Sequence, residues 1–278
     1  MSTDTSAPIS ETPIPAYESN VSSSAVSFTG AVRSEWVKFR TLRSSWLLLL
    51  AAALGLVILA LVIGYNTRHL GAGMDPEDYA ATSTLQGYHL AELLLGALGV
   101  LLVSGEYASG TIRATLVAVP RRLPVLWAKF AVMAPLVTVT MVASAVVAFV
   151  SSQALISHYR HSFSLGDPGV TRAVIGTGVY LGAVTVIGAA LGWIVRSTPG
   201  ALVTYLGLLL VLPVITGNLL GSWGRTLAQF LPSEAGMSIL TSVRLPDLLS
   251  PSASALVLAA WVAGTVALAA ITLGRRDA

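Results

Sequence analysis

The sequence predicts an all-α, polytopic membrane protein. It has six transmembrane helices, an N-terminal interfacial helix and short outer re-entrant helices before the last span. Three observations carry that prediction. Of the 278 residues, 54% are hydrophobic and only 10% charged, against about 25% charged in a soluble domain. Five long windows hold no Asp, Glu, Lys or Arg, and a sixth is interrupted only by Glu92; a bilayer-crossing helix needs about 20 apolar residues. Finally, Lys and Arg alternate in abundance between successive connections. The absence of cysteine excludes disulfides, thiolate metal sites and cysteine nucleophiles.

Residues 1–27 are rich in Ser, Thr and Pro, and their only charged side chains are Asp4, Glu11 and Glu18. Such a segment buries too little surface to offset its ordering entropy, so a disordered cytoplasmic tail is expected there, followed by one membrane domain over 28–278. The first apolar run starts only at Trp46 and is too long for a signal-peptide core.

The segment AVRSEWVKFRTLRSSW places Val32, Trp36, Phe39, Leu42 and Trp46 at spacings of four, three, three and four. One helical face is therefore apolar, and Arg33, Lys38, Arg40 and Arg43 take the remainder. Two readings fit: a helix lying in the headgroup plane, with Trp36 and Phe39 turned toward the acyl chains and Lys38, Arg40 and Arg43 toward anionic lipid, or an ordinary positive-inside flank that happens to be helical.

The six spans are placed near 46–66, 84–104, 130–152, 173–195, 200–220 and 253–273. An even number puts both termini on one side. That side collects Arg33, Lys38, Arg40, Arg43, Arg113, Arg121, Arg122, Lys129, Arg196, Arg275 and Arg276, and the other only Arg68, Arg160, Arg172, Arg225 and Arg244. The excess predicts cytoplasmic N- and C-termini in a multi-pass protein of the cell membrane.

Between spans two and three runs SGEYASGTIRATLVAVPRR, residues 104–122. Ile112, Leu116 and Val119 form a narrow apolar stripe about two turns long. Gly110 can turn the chain out of the preceding helix, and Pro120 ends the short one before Arg121 and Arg122. Two readings fit: an amphipathic helix that docks into a groove of a cytoplasmic partner, or a helical turn capping a long loop.

The run EYASGTIRATLVAVPRRLPVLWAKF resembles the signature after the second span in permeases of the type-2 ATP-binding-cassette (ABC) exporter family. Glu106, Tyr107, Gly110, Thr111, Ile112, Arg113, Pro120, Arg121 and Lys129 match it in order. EWVKFRTLRSSW is similar to that family's entry helix. FLPSEAGMSI is similar to its Leu-Pro-Ser-x-Ala-Gly element, with Glu234 where many relatives carry Asn. The likeness extends over roughly 31–275. It implies a permease subunit of an exporter, paired with a second copy or a homologue. A separate cytoplasmic ABC ATPase would dock on Glu106, Gly110, Thr111, Ile112, Arg113, Leu116, Pro120 and Arg121. ATP and Mg would then sit on that partner, with no cofactor on this chain. Consistently, no G-x-x-x-x-G-K-[ST] phosphate loop occurs anywhere.

Glu92 is the one acidic residue inside a proposed span, and His89 precedes it by three positions, on the same helical face. The pair is either a polar patch on the transport pathway or a hydrogen-bonded feature of helix packing. The glycines of spans four and five imply close helix contact. Pro135 and Pro213 are expected to kink their spans. The histidines lack metal-ligand spacing, no metal is expected, and the partners foreseen are the ATPase, a second permease and the lipid bilayer, with no nucleic acid. Two rival functions stay open at this level: an ion-gradient-driven secondary transporter and a non-transporting membrane scaffold.

Overall fold

A computed structural model describes residues 27–67, 83–111, 123–157, 162–219, 221–242 and 248–275. Among these residues there is no strand, and six helices are long and apolar enough to cross a membrane. The expected tail, apart from Ser27, lies outside the described residues.

Helix α1 (Phe28–Thr41) begins at Ser27, whose Oγ accepts a hydrogen bond from the Gly30 N–H at 3.2 Å. That bond satisfies one of the donors left over at a helix start. The helix stops at Leu42, which is extended, and α2 (Arg43–Thr67) starts at once. Trp46 therefore belongs to α2 rather than to the amphipathic helix. It closes the elbow, with its ring 5.6 Å from that of Phe39 and Nε1 donating to the Arg40 carbonyl at 3.3 Å.

Along α2 only a stripe of Ser45, Leu49, Ala52, Leu56, Ala60, Gly64 and Thr67 is buried, and Leu47, Leu50, Leu54 and Ile58 face outward. An apolar helix buried on one side only suits a lipid-facing position. The second span enters through a 3₁₀ turn at Ser83–Gly87 and continues as α3 (Tyr88–Ala108). It thus runs on past the expected end and carries Glu106 within its last turn. The third, α4 (Leu123–Ile156), accommodates Pro135 inside the helix and starts before the expected boundary, so that Lys129 becomes helical.

The fourth span, α5 (Val170–Val195), is the hub: 83% of its most apolar window is buried, against 28% for α2. It packs on α3, α4 and the sixth span, α10 (Pro251–Arg275). Glycines make this possible. A Cβ on Gly188 would lie 2.5 Å from the Gly96 carbonyl oxygen, and one on Gly99 would overlap the Thr185 carbonyl. The α3 and α5 backbones touch, as small-residue packing predicts.

The fifth span is composite: α6 (Thr198–Leu206), a π-helical turn (Gly207–Val211) and α7 (Leu212–Leu219). The wide turn precedes Pro213, whose ring would otherwise crowd the carbonyl one turn back. Two short helices follow, α8 (Gly221–Ala228) and α9 (Pro232–Leu240), in the stretch expected to hold short outer helices. Arg172 of α5 caps α9, donating to the carbonyls of Ser238, Ile239 and Thr241 at 3.3, 3.2 and 2.9 Å. A cation at a helix C-terminus both satisfies spare carbonyls and meets the negative end of the dipole.

Candidate functional site

At the end of the bundle that carries α1, charged side chains from three helices meet. Glu35 and Lys38 stand three residues apart on α1, with Lys38 Nζ 2.6 Å from Glu35 Oε1. Lys129, near the start of α4, reaches the other oxygen of Glu35 at 2.5 Å. Glu106, in the last turn of α3, accepts from both lysines through Oε1, at 3.1 Å from Lys38 and 3.0 Å from Lys129. The result is an alternating ring of two cations and two anions. Phe39, Leu42, Leu102, Val132 and Met133 line the same recess.

Glu35 and Lys129 are each only 5% exposed, so neither charge is tolerable alone. Burial by itself would push the Glu35 carboxyl up, but Lys129 and Lys38 outweigh it and hold the group below its ordinary value of 4.5. Burial likewise works against the charge on Lys38, while Glu35 and Glu106 raise it above its ordinary 10.5. Both groups remain ionised across the neutral range.

This ring corrects the expected orientation of α1. The stripe turned inward is Ala31, Glu35 and Phe39; Trp36 and Leu42 are exposed. Lys38, assigned to the outward cationic side with Arg40 and Arg43, bends into the ring instead. The helix is rotated because α3 and α4 present a carboxylate and an ammonium that must be neutralised, and a buried charge outranks an apolar contact. Arg40 and Arg43 are exposed.

The residue after Glu106 looks the other way. Tyr107 packs edge-on against Trp193 of α5 at 5.8 Å, and the Arg196 guanidinium lies 5.4 Å from the centre of its ring. Next, α3 ends at Ala108, Ser109 caps it, and Gly110 takes φ 72, a left-handed conformation that favours glycine.

Toward the opposite end, Glu92 of α3 is sealed, with 2% of its side chain exposed, and His89 Nδ1 lies 3.3 Å from Glu92 Oε1. Tyr180 of α5 donates to Glu92 Oε2 at 2.5 Å, and Tyr205 of α6 donates to the Glu92 backbone carbonyl at 2.7 Å. Each tyrosine ring occupies a slot made by a missing side chain: a Cβ on Gly96 would overlap Tyr205, and one on Gly236 would overlap Tyr180. Glu234 of α9 stands near His89, and burial pushes its carboxyl up while His89 opposes the shift.

A family model described as ABC-2 family transporter protein matches residues 31–217, well over half of the sequence. The chain belongs to the ABC-2 transporter family. A search of curated proteins finds no match. This ABC-2 chain is thus a multi-pass membrane permease, the transport subunit type rather than the ATPase.

In the ABC-2 permease, the expected coupling residues divide by position. Glu106, Gly110 and Thr111 lie at the end of α3 and just beyond it; Ile112, Arg113, Leu116, Pro120 and Arg121 lie outside the described residues. His89 and Glu92 are brought together as the spacing implied. Glu35 escaped the sequence reading, and Lys129 entered it only as a motif match. The available signals were the i,i+3 pair Glu35–Lys38 and a lysine abutting a long apolar run. Among the described residues, no group of three or more His, Asp or Glu could hold a metal ion.

Proposed function

We propose that this permease forms the membrane pathway of an ABC exporter as a pair of copies, or with a homologue, in the cell membrane with both termini cytoplasmic. Separate cytoplasmic ATPase subunits, carrying ATP and Mg, dock on the 105–122 element and drive the pathway between inward- and outward-facing states. The observation that carries this reading is the ring of Glu35, Lys38, Glu106 and Lys129. It ties α1 to the last turn of α3 and the first turns of α4, which are the two ends of the segment on which the motor would pull. Held at both ends, that segment transmits a displacement rather than absorbing it.

In this arrangement the outward face of α1, with Arg33, Arg40 and Trp36, rests at the cytoplasmic headgroups. The chain's own residues break no substrate bond; they supply a path and a lever. Glu92 is satisfied by neighbouring side chains, which favours a role in joining spans two, four and five over direct contact with cargo.

The test is a pull-down of the tagged chain from mild-detergent extracts of its host, with mass spectrometry of what co-purifies. A stoichiometric ATP-binding subunit, lost on Arg113→Glu or Gly110→Pro with membrane insertion intact, is the expected result. Reproducible absence of such a subunit from the intact, folded chain would overturn the reading in favour of a gradient-driven carrier or a scaffold.

A further inference from the structure

The ionic ring reaches α1 and α4 but leaves α5, α6 and α10 untouched. A second contact at the same end of the bundle serves those helices. Arg196 forms the link between α5 and α6 and has φ 57, the one non-glycine residue with positive φ among the described residues. Its N–H bonds back to the Gly192 carbonyl at 3.0 Å, closing α5 in the way a terminal glycine ordinarily does. A side chain at a position that favours glycine implies that the side chain has a task.

That side chain bridges two elements. Its Nη2 donates to the carbonyl of Thr272, in the last turns of α10, at 3.3 Å. Its guanidinium carbon lies over the Tyr107 ring, which in turn abuts the fully buried Trp193. Beside it, Thr198 Oγ1 donates to Ser104 Oγ of α3 at 2.9 Å. At the C-terminus of α5 one planar cation therefore joins the final turn of α3 to the last turns of α10, stacking on a ring with its face while donating from its edge, and Thr198 ties α6 to α3 beside it. A lysine's compact ammonium has no planar face to stack while it donates elsewhere.

We infer that Arg196 is a positioning residue that carries movement of the α3 end to α5 and the last span, in parallel with the ionic ring that carries it to α1. The consecutive residues Glu106 and Tyr107 divide one displacement between the two halves of the permease. This inference rests on the coupling reading above and specifies its second route.

The experiment uses the whole transporter, the chain co-purified with its ATPase partner, and hydrogen–deuterium exchange with and without Mg-ATP and vanadate. In the wild type, nucleotide is expected to change exchange in both 28–41 and 251–275. Arg196→Gly keeps the backbone conformation comfortable and removes the guanidinium. It should retain the partner and the response of 28–41, and lose most of the response of 251–275. Tyr107→Leu should reproduce that pattern, and Arg196→Lys should restore only part of the signal. A wild-type response of 251–275 in Arg196→Gly would overturn the inference, as would loss of both responses together. Failure of the wild-type chain to retain an ATPase, or of nucleotide to alter either segment, would remove the coupling reading itself and this inference with it.

Discussion

Glu106 and Lys129 are 23 residues apart in the chain and joined by an ion pair of 3.0 Å across the foot of the segment between spans two and three. One ends α3 and the other begins α4, so the pair pins both exits of that segment. Glu35 completes the arrangement from α1, and each member of the pair also belongs to a contact with that helix.

The costs of removing two facing members should not add, because removing one strands a buried charge. Lys129→Met strands Glu35 and Glu106 with a single, partly exposed lysine, and the loss is expected to be about 3–5 kcal/mol. Glu35→Gln combined with Lys129→Met should lose much less than the two single changes added together. A double-mutant cycle on thermal unfolding of the purified chain in detergent checks this. Simple additivity would mean that the two side chains do not interact.

The ring should show a flat response over neutral pH. Glu35 titrates below its ordinary 4.5 when folded, so its stabilisation is complete above that value and lost as pH falls through the lower folded one. Lys38 is raised above 10.5, so its contribution is complete below that value and lost as pH rises through the higher folded one. Unfolding midpoints measured from pH 5 to 9 should therefore run parallel in the wild type and Glu35→Gln, the wild type the higher, and converge only in acid. A slope difference near neutrality would contradict the assignment.

Gly96 and Tyr205 offer a steric test. Gly96→Ala drives a methyl into the Tyr205 ring and should detach its hydroxyl from the Glu92 carbonyl. Overpacking of this kind costs about 1–3 kcal/mol. Tyr205→Phe alone removes just the hydrogen bond, worth about 0.5–1.5 kcal/mol. In a Tyr205→Ala background, where the slot is vacant, Gly96→Ala should cost much less than it does in the wild type; the readout is the thermal midpoint together with the yield of folded protein.

Glu234 is expected to be a small liability. Its carboxyl is raised by burial, so its neutral form favours the fold: the benefit is full below the ordinary 4.5 and disappears as pH rises through the folded value. Glu234→Gln should lift the midpoint by roughly 1–2 °C at pH 7, the scale of a fraction of a kcal/mol in a chain of this size. The gain should vanish in acid, where both side chains are uncharged. Destabilisation at pH 7 would show that the charge is used.

The architecture was legible because the bilayer imposes a length and a composition that few other environments demand. The limits of the spans were less so. Apolar windows stop at charges, whereas α3 and α4 continue through Glu106 and Lys129, because each supplies the counter-charge that makes the other admissible. The same logic misled the reading of α1. Periodicity treats a charged residue as solvent-facing, but Glu35 sits in the buried stripe and Lys38 bends toward it.

By itself, the sequence determined that this chain spans a membrane six times, that a transport-family signature lies between spans two and three, and that Gly110 breaks the helix before it. These are local properties, set by hydrophobicity, by glycine's access to positive φ and by motif. Only the tertiary structure decided which charges are buried together, which face of α1 turns inward, and that Glu106 and Tyr107 serve opposite halves of the bundle. A charge's environment depends on helices distant in sequence, and helix rotation about its axis is settled by whichever partners must be neutralised or given room.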